Sequence, residues 1–249
     1  PTWWVGMRHR GLQLMVHGQH IAQLRPELNH PGVTLRDVTR VESDNYLFLN
    51  LDIAPAAAAG EFEIRFEDGQ GVLLRHRYTL HARDGQSAQR QGFGPKDVIY
   101  LLVPDRFANG NPNNDRVPTL SEGVNRAEPG GRHGGDLQGI AQHLDYIAGM
   151  GFTQIWPTPL TENNQPQYSY HGYASTDLYQ VDARFGSNQE YRQLVATARS
   201  KGIGFIADIV VNHIGSSHWW MKDLPARDWL NQWQRFTETN HKRISRQTG

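Results

Sequence analysis

Asp208-Ile209-Val210-Val211-Asn212-His213 closes an apolar run that starts at Phe205. A run of this length, rich in β-branched residues and broken by one acid, predicts a strand buried on both faces. Gly202 and Gly204 punctuate its start, and Gly215 follows His213. In parallel α/β folds, chemistry sits where strands end and loops begin. Asp208, Asn212 and His213 therefore fall on or just past the working end of a core strand. The residues alone fit a site as well as they fit a hydrogen-bonded buried acid followed by a loop histidine.

Working backwards, Val98-Ile99-Tyr100-Leu101-Leu102-Val103 reads as a continuous apolar strand stopped by Pro104. Asp136 is placed to cap a helix whose apolar face is Leu137, Ile140, Leu144 and Ile147, with Gly149 and Gly151 ending it. Phe152 to Trp156 is a short strand stopped by Pro157. Ser187 and Glu190 form a capping box, and Tyr191, Leu194, Val195 and Ala198 give the buried face of the helix that follows. The order is strand, long loop, helix, strand, long loop, helix, strand. Long loops after strands only are the asymmetry of a (β/α) barrel, whose working loops follow its strands. Three strands cannot close such a barrel, and an open parallel fragment exposes apolar edges. The expectation is that the chain is the N-terminal part of a longer protein.

The first segment reads differently. Leu47, Leu49, Leu51 and Ile53 alternate with Phe48, Asn50 and Asp52, and Phe62, Ile64 and Phe66 alternate with charged residues. Asp68-Gly69 offers a turn, and Leu74, Tyr78 and Leu80 continue beyond it. Leu12, Leu14 and Val16 keep the same period. Short alternating strands predict a small immunoglobulin-like β-sandwich over residues 1–92. A polar linker precedes the N-terminal part of a (β/α)8 barrel over residues 93–249, truncated after the third strand and its loop. The predicted class is α/β with an all-β N-terminal domain. Trp3-Trp4 reads as core or interface more readily than as a sugar platform.

Composition narrows the class of partner. The 249 residues carry 25 Lys plus Arg and 25 Asp plus Glu, a formal net charge of +0, which argues against a phosphate-tracking nucleic-acid binder. With 0 Cys there are neither disulfides nor thiolate metal sites. No apolar run approaches the roughly 20 residues that span a bilayer, so no membrane partner is expected. The chain starts at Pro1, which fits removal of a leader; a periplasmic or secreted location is expected, with the cytoplasm as the alternative.

The loop after the first barrel strand, Asp105-Arg106-Phe107-Ala108-Asn109-Gly110-Asn111-Pro112-Asn113-Asn114-Asp115, clusters oxygen side chains around a turn. Such a loop suits a hard cation, and suits an Asx-rich surface turn equally.

The pattern D-x-x-x-N-H over Asp208 to His213 resembles the third barrel strand of glycoside hydrolase family 13, the α-amylase clan. Further segments resemble the same family in the same order. Gly151 to Pro159 is similar to its second strand, and Tyr170-His171-Gly172-Tyr173 with Asp177-Leu178-Tyr179 to its Y-H-G-Y…D-x-Y segment. The Asn109–Asp115 loop is similar to the calcium loop of the cyclomaltodextrinase and neopullulanase branch. The segment before the barrel looks like that branch's N-terminal β-sandwich. The resemblance implies Ca2+ held by Asn109, Asn111, Asn114, Asp115, Gly134 and Asp136. Asn111 stands where the family often has Asp, and Asp136 has a competing role as a helix cap.

The resemblance further implies that Tyr173 stacks beneath the sugar at the cleavage point. His171 and His213 would bind hydroxyls, while Asp208 and Asn212 support the site and its loops. A retaining glycosidase needs two carboxyl groups about 5–5.5 Å apart. In the family these lie on the fourth and fifth strands, so no nucleophile or acid is named in this chain, and both are expected beyond Gly249. The implied activity is that of a retaining α-1,4-glucan hydrolase acting on cyclodextrins, maltooligosaccharides or pullulan, with a homodimer through the N-terminal domain as a possible assembly. A transglycosylase of the same clan shares these motifs, and a non-catalytic sugar-binding protein would keep the fold without the acids.

Overall fold

A computed structural model describes residues 2–90 and 92–232. The chain divides into two compact units, Thr2–Asp84 together with the residues from Asp223, and Gly85–Lys222.

In the first unit the period-two stretches form strands. β1 is Trp3–Trp4, β2 Gly11–His17, β3 Arg25–Leu28, β4 Val33–Arg40, β5 Tyr46–Ile53, β6 Gly60–Asp68 and β7 Gly71–His81. They make two sheets, ordered β1-β7-β6-β3 and β2-β5-β4. All pairs are antiparallel except β1 with β7. The side chains that alternate inward from both sheets share one core: Leu14, Leu47, Leu49, Leu51 and Ile53 from one, Phe62, Ile64, Phe66, Tyr78 and Leu80 from the other. Trp3 packs against this core, whereas Leu74 is exposed.

Among the described residues, the segment 223–232 groups with the first unit. His17 Nε2 lies 2.9 Å from Asp223 Oδ2, Asn45 donates to the same oxygen at 2.9 Å, and Ser43 donates to Oδ1 at 3.3 Å. Tyr46 donates its hydroxyl to the Asp223 carbonyl. These converging donors hold the Asp223 carboxylate below its usual range, and burial with the nearby Asp223 charge pushes the Tyr46 hydroxyl up to about 12.

The second unit follows the strand, loop, helix order. β8 is Ile99–Leu102, with a single turn, α1, at Pro104–Phe107; α2 is Leu137–Gln142 and α3 Leu144–Gly149. β9 (Gln154–Pro157) is followed by a hairpin of β10 (Thr161–Glu162) and β11 (Asp177–Val181), then α4 (Asn188–Ser200) and β12 (Gly204–Phe205). β8, β9 and β12 form a parallel sheet in the order β12-β9-β8, neighbours in sequence and in space, as the first strands of a barrel are. Asp136 caps α2 by accepting from Gly139 N–H at 2.7 Å. Ser187 caps α4 by accepting from Glu190 N–H at 3.2 Å, and its hydroxyl donates to the Glu190 carboxylate at 2.7 Å. Leu137, Ile140, Leu144, Ile147, Leu194 and Ala198 bury against Leu102 and Ile155 on one face of the sheet.

Two expectations are corrected. The single helix from Leu137 to Ile147 is two short ones, because the His143 ring turns back to the Gly139 carbonyl at 2.7 Å and competes with the backbone. The strand predicted over Phe205 to Val211, buried on both faces, is only Gly204–Phe205, extended by one bond from Ile206 N–H to Ile155 O at 2.9 Å. Ile209 and Val211 are 73% and 90% exposed. A parallel strand is covered only when neighbours flank it, and no strand lies beyond β12 among the described residues. The alternate side chains Ile99, Leu101 and Trp156 are exposed because helices cover only the other face of the sheet.

Candidate active site

The residues at the ends of β9 and β12 meet on Asp208. Trp156, in β9, donates its indole N–H to Asp208 Oδ2 at 3.0 Å. The Tyr173 hydroxyl donates to the same oxygen at 2.9 Å. Burial, then the Asp208 carboxylate, pushes the Tyr173 hydroxyl above its ordinary pKa, so it stays protonated and keeps donating.

His213 closes the arrangement. Its Nε2–H donates to the Tyr173 carbonyl at 2.8 Å, and Nδ1 accepts from the Asn212 amide at 3.1 Å. Both ring nitrogens are engaged within the protein, so a sugar hydroxyl reaching His213 replaces one of these bonds. His171 lies beside Tyr173, rings stacked 5.9 Å apart at 29°, and its Nδ1 accepts the Tyr173 N–H at 2.9 Å. Burial pushes His171 below the ordinary histidine range against the opposing charge of Glu122, which keeps the ring neutral near pH 7.

Backbone geometry brings these loops together. Gly172 has φ +85°, and a Cβ there would lie 2.1 Å from the Pro159 carbonyl oxygen, so only glycine lets the His171–Tyr173 turn sit against the end of β9. Gly215 donates to the Ser175 carbonyl at 2.8 Å, and a Cβ there would lie 2.3 Å from Ala174 O. This close approach draws the segment after His213 onto the Tyr173 loop. The structure thus gathers His171, Tyr173, Asp208, Asn212 and His213 in one cluster.

The oxygen-rich loop forms a second cluster. Asn109 donates its amide to Asp115 Oδ1 at 2.7 Å, leaving its Oδ1 buried without a partner, as is Asn114 Oδ1. Gly134 crowds them, since a Cβ on it would lie 2.5 Å from Asp115 Oδ1. Asp136 is already engaged: Oδ1 accepts from Gly110 and Gly139, and Oδ2 from Asn111 N–H at 2.8 Å. Asn111 Oδ1 accepts from Asn113 N–H at 3.2 Å. The unpartnered carbonyl oxygens beside a carboxylate fit a hard cation; Asn111 and Asp136 also hold the turn.

Sequence reasoning missed what fastens these loops. Arg184 and Asp182, both buried, pair at 2.7 Å, and Arg184 also donates to the carbonyls of Glu122 at 2.7 Å and Asn163 at 2.9 Å. Buried Arg132 lies 3.6 Å from Asp105, donates to Ser169 O at 3.3 Å and stacks 4.7 Å over Phe185. The Asp182-x-Arg184 spacing was a visible signal, though charged pairs at that spacing are usually exposed. Trp156, counted as a strand residue, proves to be a hydrogen-bond donor of the cluster.

A model of the α-amylase catalytic domain matches residues 101–246. The chain belongs to the α-amylase family. A cyclomaltodextrinase N-terminal domain model matches residues 1–84. Among curated relatives, Beta/alpha-amylase of Paenibacillus polymyxa is 44% identical over 120 residues, covering 48% of this chain and 10% of that protein. A Cyclomaltodextrinase of Geobacillus thermopakistaniensis is 39% identical over 121 residues, covering 48% and 20%. The solved α-amylase of Anoxybacillus aligns with TM-score 0.52 and 40% identity over 60% of this chain and 31% of that one. This α-amylase family chain thus spans a fifth or less of the two curated relatives. Among the described residues no helix is long and apolar enough to cross a membrane.

Proposed function

We propose that the chain supplies the first part of a retaining α-1,4-glucan hydrolase acting on cyclodextrins, maltooligosaccharides or pullulan. The observation that carries this reading is the convergence of Trp156 and Tyr173 on Asp208, with His213 bonded to the Tyr173 backbone, at the ends of adjacent parallel strands. A pyranose presents an apolar face and a ring of hydroxyls. Tyr173, 38% exposed and fixed through its hydroxyl, offers the platform, and His171 and His213 offer ring nitrogens. Asp208 acts as a positioning residue that orients the Tyr173 ring. Retention requires a nucleophile and an acid/base from further strands of the barrel, so this chain alone should turn over no cyclodextrin. The location proposed is periplasmic or secreted, with the cytoplasm as the alternative. The N-terminal unit, read as a β-sandwich, is the proposed dimerisation surface.

We also propose that Asn109, Asn114 and Asp115, with the Gly134 carbonyl and with Asn111 and Asp136 in support, hold Ca2+. The ion would supply fixed positive charge for the buried carbonyl oxygens and brace the first loop. Chemical-shift mapping with maltotriose tests the functional reading. Perturbations centred on His171, Tyr173 and His213 are expected, and a shift map that leaves those residues untouched would overturn it.

A further inference from the structure

Ser169, Tyr170 and His171 form one short 3-10 turn between two left-handed residues, Tyr168 at φ +60° and Gly172 at φ +85°. Its backbone is tied down at Ser169, whose N–H donates to Glu122 Oε2 at 2.8 Å and whose carbonyl accepts from Arg132 Nη1 at 3.3 Å. A three-residue turn cannot fix its own side chains, because side chains on a helix brace neighbours three or four positions away. The Tyr170 ring is instead held by Arg106 in α1, whose guanidinium lies over it, 3.9 Å from the centroid. Arg106 is clamped at both ends. Nη1 donates to the Asp105 carboxylate, and Nη2 donates to the Pro129 carbonyl at 2.8 Å. Asp105 is buried and also accepts from His133 N–H at 2.8 Å and Gly134 N–H at 3.2 Å, so the clamp is itself fixed. The Arg106 side chain is 24% exposed. A flat cation pinned at two points and largely out of water is a rigid plate that grips an aromatic face.

From Tyr170 the contacts run without a gap to the cluster at the ends of β9 and β12. The Tyr170 ring meets His171 edge-on, at 5.5 Å and 77°. His171 stacks on Tyr173 at 5.9 Å, and its Nδ1 accepts the Tyr173 N–H at 2.9 Å. Tyr173 in turn bonds to Asp208 and His213. With Nδ1 occupied, Nε2 is the His171 nitrogen left for a ligand, and its direction follows the angle of the ring. We infer that Arg106 is a positioning residue of the site: acting through Tyr170, it sets the angle at which His171 presents Nε2 to a glucan hydroxyl. The inference rests on the functional reading above and deepens it, naming a side chain that acts on the site through another.

The test is a double-variant cycle on the chain, read by NMR titration with maltotriose, by the pH titration of His171 and by Tm. Arg106→Gln and Tyr170→Ala should each weaken maltotriose about fivefold. The double variant should also be weakened about fivefold rather than about 25-fold, because the second change removes nothing once the first has cut the relay. Burial, against the opposing charge of Glu122, holds His171 below the ordinary histidine range, so its midpoint should rise toward that range in each variant as the ring loosens. Tyr170→Phe keeps the face under Arg106 and the edge against His171, and should rescue both affinity and midpoint. Multiplied losses in the double variant would overturn the inference. So would a lowered Tm with affinity and His171 midpoint unchanged, which would show that Arg106 only packs the loop. No binding of maltotriose by the unmodified chain would overturn the functional reading. The His171 midpoints then decide the relay by themselves, and parental midpoints in both single variants would overturn it.

Discussion

Asp182→Ala tests how the loops of the site are fastened. Asp182 is 0% exposed and accepts four hydrogen bonds: from Arg184 N and Nε at 2.9 Å each, from Arg184 Nη2 at 2.7 Å and from Asn163 N at 3.0 Å. Its removal leaves the Arg184 guanidinium, 1% exposed, with carbonyl partners but no counter-charge. Breaking one side of a buried pair costs about 3–5 kcal/mol, because the surviving charge stays desolvated. For a chain of this size that lowers the Tm by roughly 10–15 °C. Removing both partners with Asp182→Leu/Arg184→Met should recover most of the loss, since apolar replacement of a buried pair is often neutral. Calorimetry on the two variants and the parent reads both numbers. A Tm drop below about 3 °C for Asp182→Ala would refute the claim that this pair anchors the loops. The pH dependence adds a signed check. Burial raises the Asp182 pKa, but the Arg184 bonds and the Arg132 and Arg184 charges outweigh it, so the folded value lies below the usual range. The unfolded chain then binds the extra proton first, so this stability is present above the ordinary carboxylate pKa. It is lost as pH falls through the folded value. The parent should lose more stability than Asp182→Ala across the acid limb.

Further outcomes follow from the same geometry. Gly172→Ala should cost at least about 1–3 kcal/mol and displace His171 and Tyr173, because it adds a Cβ 2.1 Å from Pro159 O at a left-handed backbone position; Tm and the maltotriose shift map check this. Calcium should raise the Tm of the parent chain and not that of Asp115→Asn, and Asn111→Asp should tighten binding by calorimetric titration; identical Tm values with calcium and with chelator would remove the site. Asp136→Ala should cost about 1–2 kcal/mol even with chelator present, since it caps α2 independently of any ion; an unchanged melting curve in chelator would contradict that role.

Much of the fold was legible because its signals are local. Alternation over Tyr46–Ile53 and Gly60–Asp68, and the caps at Asp136 and Ser187, each depend on residues a few positions apart. What failed depends on neighbours the sequence does not place. The run from Phe205 to Val211 has the composition of a buried strand, yet burial needs flanking strands, and Val211 stays exposed. The break at His143 comes from a side chain competing for a backbone carbonyl, which periodicity does not report. At the site, the resemblance of the segments 170–173 and 208–213 to the family's motifs pointed to His171, Tyr173, Asp208, Asn212 and His213. That one oxygen of Asp208 receives both Trp156 and Tyr173 is a matter of three-dimensional approach. The attachment of the Asp223 segment to His17, Asn45 and Ser43 is more distant still, being set by a chain return with no sequence periodicity.

The most direct measurement is kcat together with Tm for Tyr173→Ala and His213→Ala in the proposed glucan hydrolase. If the two side chains grip the sugar mainly in the transition state, each contact is worth about 2–4 kcal/mol and kcat falls by roughly 30- to 1,000-fold with little change in KM. Near-parental kcat in both variants, with only the Tm lowered, would show that Tyr173 and His213 pack the barrel rim and would contradict the assignment of this cleft as the active site.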